Sequence, residues 1–187
     1  MKLKLILTTV LLTTLFARGQ NTFLYDQQST NQIEGVLGLG EQPIGQSFTP
    51  LFPSVGFVML KLSGTFGGTV YVNLRSDSIT GTILGSTTPV FMPDRFFGIT
   101  NFMFTTSITV IPGIPYYLQP VGGAGGFGSF AADGYPGGSL IYRGSLVPYK
   151  DLWFREGVVV PEPSSVFLVL LGGGVLFYAV RKKSFHT

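Results

Sequence analysis

The stretch GTVYVNLRS at Gly68–Ser76 decides the fold class of this chain. Its three aliphatic residues alternate with Thr, Tyr, Asn and Arg, and a two-residue period places alternate side chains on opposite faces of a β-strand. The preceding stretch SVGFVMLKLS at Ser54–Ser63 alternates in the same way, with Lys61 on the polar face. Both stretches therefore predict strands with one buried face.

Short apolar runs bounded by Gly, Pro, Asn, Asp and Ser continue from Gln20 to Gly157, and no 3.6-residue period is sustained there. The further predicted strands are Thr22–Asp26, Gly45–Thr49, Thr82–Ser86, Ile99–Thr105, Ser107–Ile111, Tyr116–Val121, Ser139–Arg143 and Asp151–Glu156. This number of short strands predicts an all-β fold, an antiparallel β-sandwich or jelly roll.

Composition supports a folded, mildly acidic body. Hydrophobic residues make up 45 % of the chain, which contains 17 Phe and 8 Tyr, and disordered chains are poor in aromatic residues. Although the whole chain carries a net charge of +3, the body from Gln20 to Val160 has six basic and eight acidic residues, a net −2. We therefore do not expect the body to bind nucleic acid.

Residues for common catalytic chemistry are scarce. The chain has no cysteine, and its one histidine is His186 at the extreme C-terminus. Ser–His and Cys–His nucleophile pairs are therefore unavailable in the body, and the scattered carboxylates do not suggest an acid/base pair. We expect that the protein is not an enzyme.

The N-terminus has the order of a secretory signal peptide. Lys2 and Lys4 precede an apolar run from Leu5 to Phe16, and small residues precede a cut after Gly19. The run is too short to span a bilayer. This pattern predicts a signal peptide over 1–19 and passage through the secretion machinery.

The C-terminus has a different order. A segment held extended by two prolines is followed by the uncharged apolar run Val166–Val180 and then by a basic cluster. The basic cluster predicts that the tail end stays cytoplasmic and that the body lies outside the inner membrane. The residues predicted to form the signal are Pro161, Glu162, Pro163, Arg181, Lys182 and Lys183.

This tail resembles the PEP-CTERM sorting signal of bacterial exported proteins. The resemblance implies a Gram-negative-type cell, a single transmembrane sorting helix held transiently in the inner membrane, and processing by an exosortase-type protease. It also implies release to the cell surface or medium, often where exopolysaccharide is made. The predicted organisation is a signal peptide at 1–19, a β-domain at 20–157 and a sorting signal at 158–187.

The body also resembles a known group of domains. The stretches that carry the likeness are IGQSFTP at 44–50, VGFVMLKLS at 55–63, VNLRS at 72–76, TILGST at 82–87, PGIPYYLQPV at 112–121, YPGGSLIYRG at 135–144 and DLWFREG at 151–157. They are similar to jelly-roll domains, reminiscent of carbohydrate-binding modules, of sorting-tagged exported proteins. The likeness implies a β-sandwich, and sugar binding more weakly, because one fold hosts many functions.

The last predicted strand holds the candidate carbohydrate site. If Leu152 and Phe154 point into the core, then Asp151, Trp153 and Arg155 share the opposite face, where an exposed indole could stack on a sugar ring. The neighbouring candidate is Tyr142. The alternative is that a loop covers Trp153 and that the flanking acid and arginine form an ordinary ion pair.

Two function hypotheses follow for this exported, non-catalytic protein. One is binding of surface or extracellular polysaccharide, and the other is a structural or adhesive matrix role through protein–protein contacts. No cofactor is required by the residues present. A structural Ca²⁺ stays open, with Asp26, Asp133 and Asp151 as candidate ligands, although no D-x-D-x-D-G loop occurs.

Overall fold

The computed structural model describes residues 21–30, 33–123, 126–132 and 134–161. All regular structure in these ranges is β, in two antiparallel seven-stranded sheets, which confirms the all-β prediction. Phe23–Val158 form one compact unit, and the terminal segments Met1–Thr22 and Val159–Thr187 belong to a second.

The first sheet takes strands from both ends of the body. Its members are β1 (Asn21–Ser29), β2 (Ile33–Gly38), β4 (Ser54–Gly64), β8 (Phe97–Thr109), β10 (Gly126–Ala132), β13 (Lys150–Leu152) and β14 (Phe154–Pro161). The order is β1-β14-β4-β10-β13, with β8 paired to β4 and β2 paired to β10. The long β4 is the centre of this sheet, because it pairs with three other strands.

The second sheet is built from the middle of the chain. Its members are β3 (Gly45–Phe48), β5 (Gly68–Arg75), β6 (Ile83–Ser86), β7 (Val90–Met92), β9 (Tyr116–Gly122), β11 (Leu140–Tyr142) and β12 (Ser145–Val147). The order is β12-β11-β3-β9-β5-β6, with β7 also paired to β5.

The hydrophobic core combines side chains of both sheets, as expected of a β-sandwich. The alternation in β5 places Val70, Val72 and Leu74 in this core, together with Leu60 of β4 and Phe154 of β14. The face assignment drawn from the stretch at 68–76 is thereby confirmed.

The other face of β4 is also partly covered, because aromatic side chains of β1, two strands away in the same sheet, contact it. The rings of Phe23 and Tyr25 meet the ring of Phe57 edge-on, with centroids 4.8 Å and 5.8 Å apart. Phe57 is therefore fully buried although it points away from the main core. These ring contacts help to hold β1 beside β14 at the outer face of the first sheet.

Two strand predictions were wrong in detail. The separate strands predicted at Ile99–Thr105 and Ser107–Ile111 are one continuous strand, β8. The single strand predicted at Asp151–Glu156 is divided at Trp153 between β13 and β14. Local apolar runs locate strands but do not show where the chain changes its pairing partner.

The predicted signal peptide and the sorting helix over Val166–Val180 lie outside the described residues. Among the residues that are described, no helix has the length and apolar character needed to cross a bilayer. The domain boundaries at 19 and 157 remain predictions.

Gly157→Ala should destabilise the domain, because the backbone of the neighbouring strand β1 lies close beside this position of β14. An added Cβ would lie 2.0 Å from the carbonyl oxygen of Leu24, a backbone atom that can yield only if β1 moves. We expect a loss of about 1–3 kcal/mol in the free energy of unfolding, measured with urea. Gly40→Ala is the control, since a Cβ there meets nothing within 4 Å. Equal stability of the two variants would contradict this close packing.

Candidate functional site

Asp151 is a structural residue of the interior and not part of an open face. Its side chain is 0 % exposed. One carboxylate oxygen accepts a hydrogen bond of 2.7 Å from Nε2 of Gln46. The other accepts bonds from the backbone N–H groups of Gly134 (3.1 Å) and Tyr135 (3.0 Å). The prediction that Asp151 shares a solvent face with Trp153 and Arg155 is therefore corrected.

Trp153 is covered as well, with 6 % of its surface exposed. It lies between β13 and β14, so the residues before and after it belong to different strands and the two-residue alternation does not carry across. Its carbonyl accepts a bond of 3.4 Å from the N–H of Lys61. The prediction that Trp153 offers an open indole platform is therefore corrected, because the ring is covered. A covered ring was the first part of the alternative interpretation of the sequence.

Arg155 links Trp153 to the solvent. Its guanidinium stands 5.3 Å from the centroid of the Trp153 ring and 5.0 Å from that of Tyr25. Tyr25 is 41 % exposed, whereas Trp153 is not. The surface therefore presents an arginine lying between two aromatic rings, of which Tyr25 is the accessible one.

Tyr142 belongs to a different surface. It lies on β11 in the second sheet, where its hydroxyl donates a bond of 2.9 Å to Oε2 of Glu41. Arg143 pairs with the same carboxylate. Hydrogen bonds from Arg143, and then from Tyr142, lower the pKa of Glu41. The structure thus separates Tyr142 from the other three candidates. The side chains of Tyr142 and Arg143 already bond to the carboxylate of Glu41.

A cationic–aromatic patch runs along the outer face of the first sheet, and we name it the outer patch. Its members are Tyr25, Lys61, Phe97, Ile99 and Arg155. Arg155 pairs with Met59 in the strand register, and Lys61 is two residues further along β4, opposite Ile99. Residues two apart share a face, so the two cations lie in neighbouring rows of the same surface.

The second cation of the outer patch repeats the arrangement of the first. The Nζ of Lys61 lies 5.1 Å from the centroid of the Phe97 ring. Phe97 is 65 % exposed, so this ring, like that of Tyr25, is open to a ligand. Cation–π contacts of this kind are worth about 0.5–1 kcal/mol at exposed sites, enough to hold the pairs in place.

Acidic groups of the same strands are engaged away from the outer patch. Oδ2 of Asp26 accepts bonds of 2.8 Å from the N–H groups of Leu51 and Phe52. Glu156 is fully buried, and burial, followed by the charge of Asp26, raises its pKa to about 9. Glu156 is therefore neutral near pH 7, and the outer patch is basic although the body as a whole is acidic.

The sequence contained two signals for the outer patch, the outward position of Lys61 in the alternation of β4 and that of Arg155 in the last predicted strand. It contained none for the contact between Tyr25 and Arg155, because these residues are brought together only by the neighbouring positions of β1 and β14. Phe97 precedes the strand predicted there, and its exposure follows from a register with Ser63 that the sequence does not show.

Of the calcium candidates, the two that the structure describes, Asp26 and Asp151, are not part of a recognisable metal centre. Asp133 lies outside the described residues, and the carboxylates of Asp26 and Asp151 accept backbone N–H bonds. Within the described part of the chain, no group of three or more His, Cys, Asp or Glu side chains is placed to hold a metal ion. The roles of Asp26 and Asp151 seen here are structural.

Comparison with known proteins identifies one segment of the chain, near its C-terminal end. Residues 159–183 match the PEP-CTERM protein-sorting motif. The chain carries a sorting signal. This confirms the resemblance drawn from the tail and implies an exported protein whose membrane-anchored precursor is processed by an exosortase for delivery to the cell surface. A search of curated proteins found no match, and the sorting motif overlaps the β-fold only at residues 159–161, the end of β14.

Proposed function

We propose that this sorting-tagged protein is a non-catalytic binding protein of the cell surface that attaches to an acidic polysaccharide through the outer patch. The observation that carries the proposal is the pairing of each patch cation with an exposed ring, Arg155 with Tyr25 and Lys61 with Phe97. Binding fits the chain better than catalysis, because the body contains no histidine or cysteine.

The chemistry of the outer patch suits a chain of carboxylated sugars. A guanidinium can bind a carboxylate through two parallel hydrogen bonds, and an ammonium adds a point charge. An exposed aromatic ring offers a flat apolar surface for the C–H face of a sugar ring. Met59 and Lys61, which mark the two cation rows, are about 7 Å apart along the strand, a spacing that lets one polymer chain meet both.

Removal of one patch cation should weaken this binding. We expect Lys61→Gln to raise the Kd for a soluble polyuronate about fivefold to tenfold, because one charge-assisted contact is lost. Isothermal titration at low salt measures the effect. Arg143→Gln removes an equal charge from the other sheet and should leave the Kd unchanged.

A neutral glucan of the same length serves as the ligand control. Equal weakening by the two variants, or equal binding of the glucan and the polyuronate, would count against the outer patch. The first outcome would indicate only a general charge effect, and the second would remove the role of carboxylates.

Processing of the tail has a separate test. In cells that contain an exosortase, mass spectrometry of the exported protein should detect peptides of the β-domain and none from residues 166–187. In otherwise identical cells without the protease, the peptides from residues 166–187 should appear in the membrane fraction. An intact tail in both cell types would show that the segment acts as a permanent anchor.

The structural or adhesive role remains a second candidate. It is favoured by β8, an edge strand of the first sheet whose sequence contains no charged residue, which suits contact with another protein chain.

A further inference from the structure

The strand β8 forms an unusual edge of the first sheet. It is 13 residues long and pairs along β4 through a register from Ser54↔Thr109 to Ser63↔Phe97. Its sequence FGITNFMFTTSIT contains no charged residue and no proline. Edge strands usually carry such residues, because unpaired N–H and C=O groups readily pair with another strand.

The direction of the backbone groups of β8 follows from two hydrogen bonds. Phe96 accepts a bond of 2.9 Å from Gly64 on the β4 side, whereas Met103 accepts one of 2.9 Å from Thr88 on the opposite side. Direction alternates along a strand, so the odd-numbered residues direct their N–H and C=O groups away from β4. Among the described residues, no strand is paired with Phe97, Ile99 and Asn101 on that side.

We propose that this open edge binds the same edge of a second copy of the protein, forming an antiparallel two-fold dimer with Ile99 at its centre. In this register Phe97 pairs with Asn101 of the second copy and Ile99 with its own equivalent. Each of these residues offers one N–H and one C=O, which gives about six main-chain hydrogen bonds across the axis.

Charge and symmetry favour a second copy over other occupants. An antiparallel self-pairing places each strand against its own sequence, and the lack of charge in β8 means that no like charges meet. The pairing between the two copies ends before Met103, because the carbonyl of Met103 already accepts a hydrogen bond from the N–H of Thr88. A two-fold contact uses this edge once on each copy, so the assembly closes as a dimer.

The dimer also continues the outer patch. Phe97 and Ile99 are 65 % and 51 % exposed on the outer face, and the two-fold axis would join the patches of both copies across one sheet. A contact made mainly by backbone groups is small, so we expect a transient dimer with a Kd on the order of micromolar. Anchoring of the precursors in one membrane would raise their effective concentration.

Sedimentation of the exported protein at concentrations from about 1 to 100 µM tests the dimer. Ile99→Glu places two carboxylates face to face at the axis, and we expect the dimer Kd to rise about tenfold. Inside one copy the new carboxylate lies opposite Lys61, so the fold should be retained, as checked by circular dichroism. Ile111→Glu is the control at an exposed position outside β8.

Mixing variants of opposite charge separates edge pairing from general destabilisation. An equimolar mixture of Ile99→Glu and Ile99→Lys should restore the dimer, because unlike charges then meet at the axis. A wild-type protein that stays monomeric throughout this range would overturn the proposal. A dimer that is unaffected by Ile99→Glu, or not restored by the mixture, would do the same.

Discussion

Replacement of Glu156 by glutamine is expected to remove most of the pH dependence of unfolding between about pH 5 and pH 9. Glu156 is fully buried, and desolvation, followed by the charge of Asp26, raises its pKa from 4.5 to about 9. In this range the folded protein keeps the proton and the unfolded chain releases it. The contribution of this group is therefore complete below pH 4.5 and is lost as the pH rises through about 9.

The size of this effect follows from the linkage relation. One proton bound only in the folded state lowers the free energy of unfolding by up to about 1.4 kcal/mol for each unit of rising pH. Tyr135, the neighbouring group, has a pKa raised to about 12 and does not titrate in this window. Over the full range, the wild-type protein should lose several kcal/mol that the glutamine variant retains.

Urea unfolding at several pH values measures the difference. Glu41→Gln is the matched control, because it also removes a carboxylate but from the partly exposed cluster with Arg143. This control should keep the wild-type slope. Parallel profiles of the wild-type protein and Glu156→Gln would show that Glu156 is not protonated in the folded state.

Asp151→Ala is expected to be the most destabilising single substitution, with a loss of about 3–5 kcal/mol, because three donors lose their acceptor at about 1–3 kcal/mol each. Asp151 on β13 binds Gln46 on β3, so this hydrogen bond connects the two sheets. Gln46 in turn accepts a bond of 2.7 Å from the N–H of Leu152. Removal of the carboxylate leaves the buried amide and the N–H groups of Gly134 and Tyr135 without this acceptor.

Thermal or urea unfolding of Asp151→Ala and Asp77→Asn checks this prediction. Asp77 is exposed and has a positive φ of 65°, which asparagine also tolerates, so Asp77→Asn should change stability by less than about 0.5 kcal/mol. At temperatures where both variants are folded, their Kd for polyuronate should equal that of the wild-type protein. Normal stability combined with lost binding in Asp151→Ala would instead assign Asp151 to a ligand site.

Several elements of this fold could be predicted because their signal is local. The alternation at 68–76 and 54–63 defines strands and their buried faces, and the structure places Val70, Val72, Leu74 and Leu60 in the core. The predicted break at residue 106 was wrong, since β8 is continuous, and the break at Trp153 was not predicted, since Asp151–Glu156 was expected to be one strand. Strand ends depend on partners that lie far away in the chain.

The candidate site shows the same limit. Alternation predicted an open Trp153, but the chain passes from one strand to the next at that residue and the ring is covered. The binding role of Arg155 stays a prediction, and its contact with Tyr25 was not predicted, because the two residues meet only through β1 and β14. Cross-strand contacts are set by register, and register is not written in either strand alone.

The sequence by itself determined the sorting tail and the all-β class, because both depend on the order of residues within short stretches. Apolar length, prolines and basic residues act in the tail one after another, and a two-residue period needs no distant partner. The tertiary structure alone decided which charges are buried and which cations stand on exposed rings. Those properties arise when strands that are distant in sequence pair in one sheet, and this pairing buries Glu156 and places the half-buried Arg155 against the exposed ring of Tyr25.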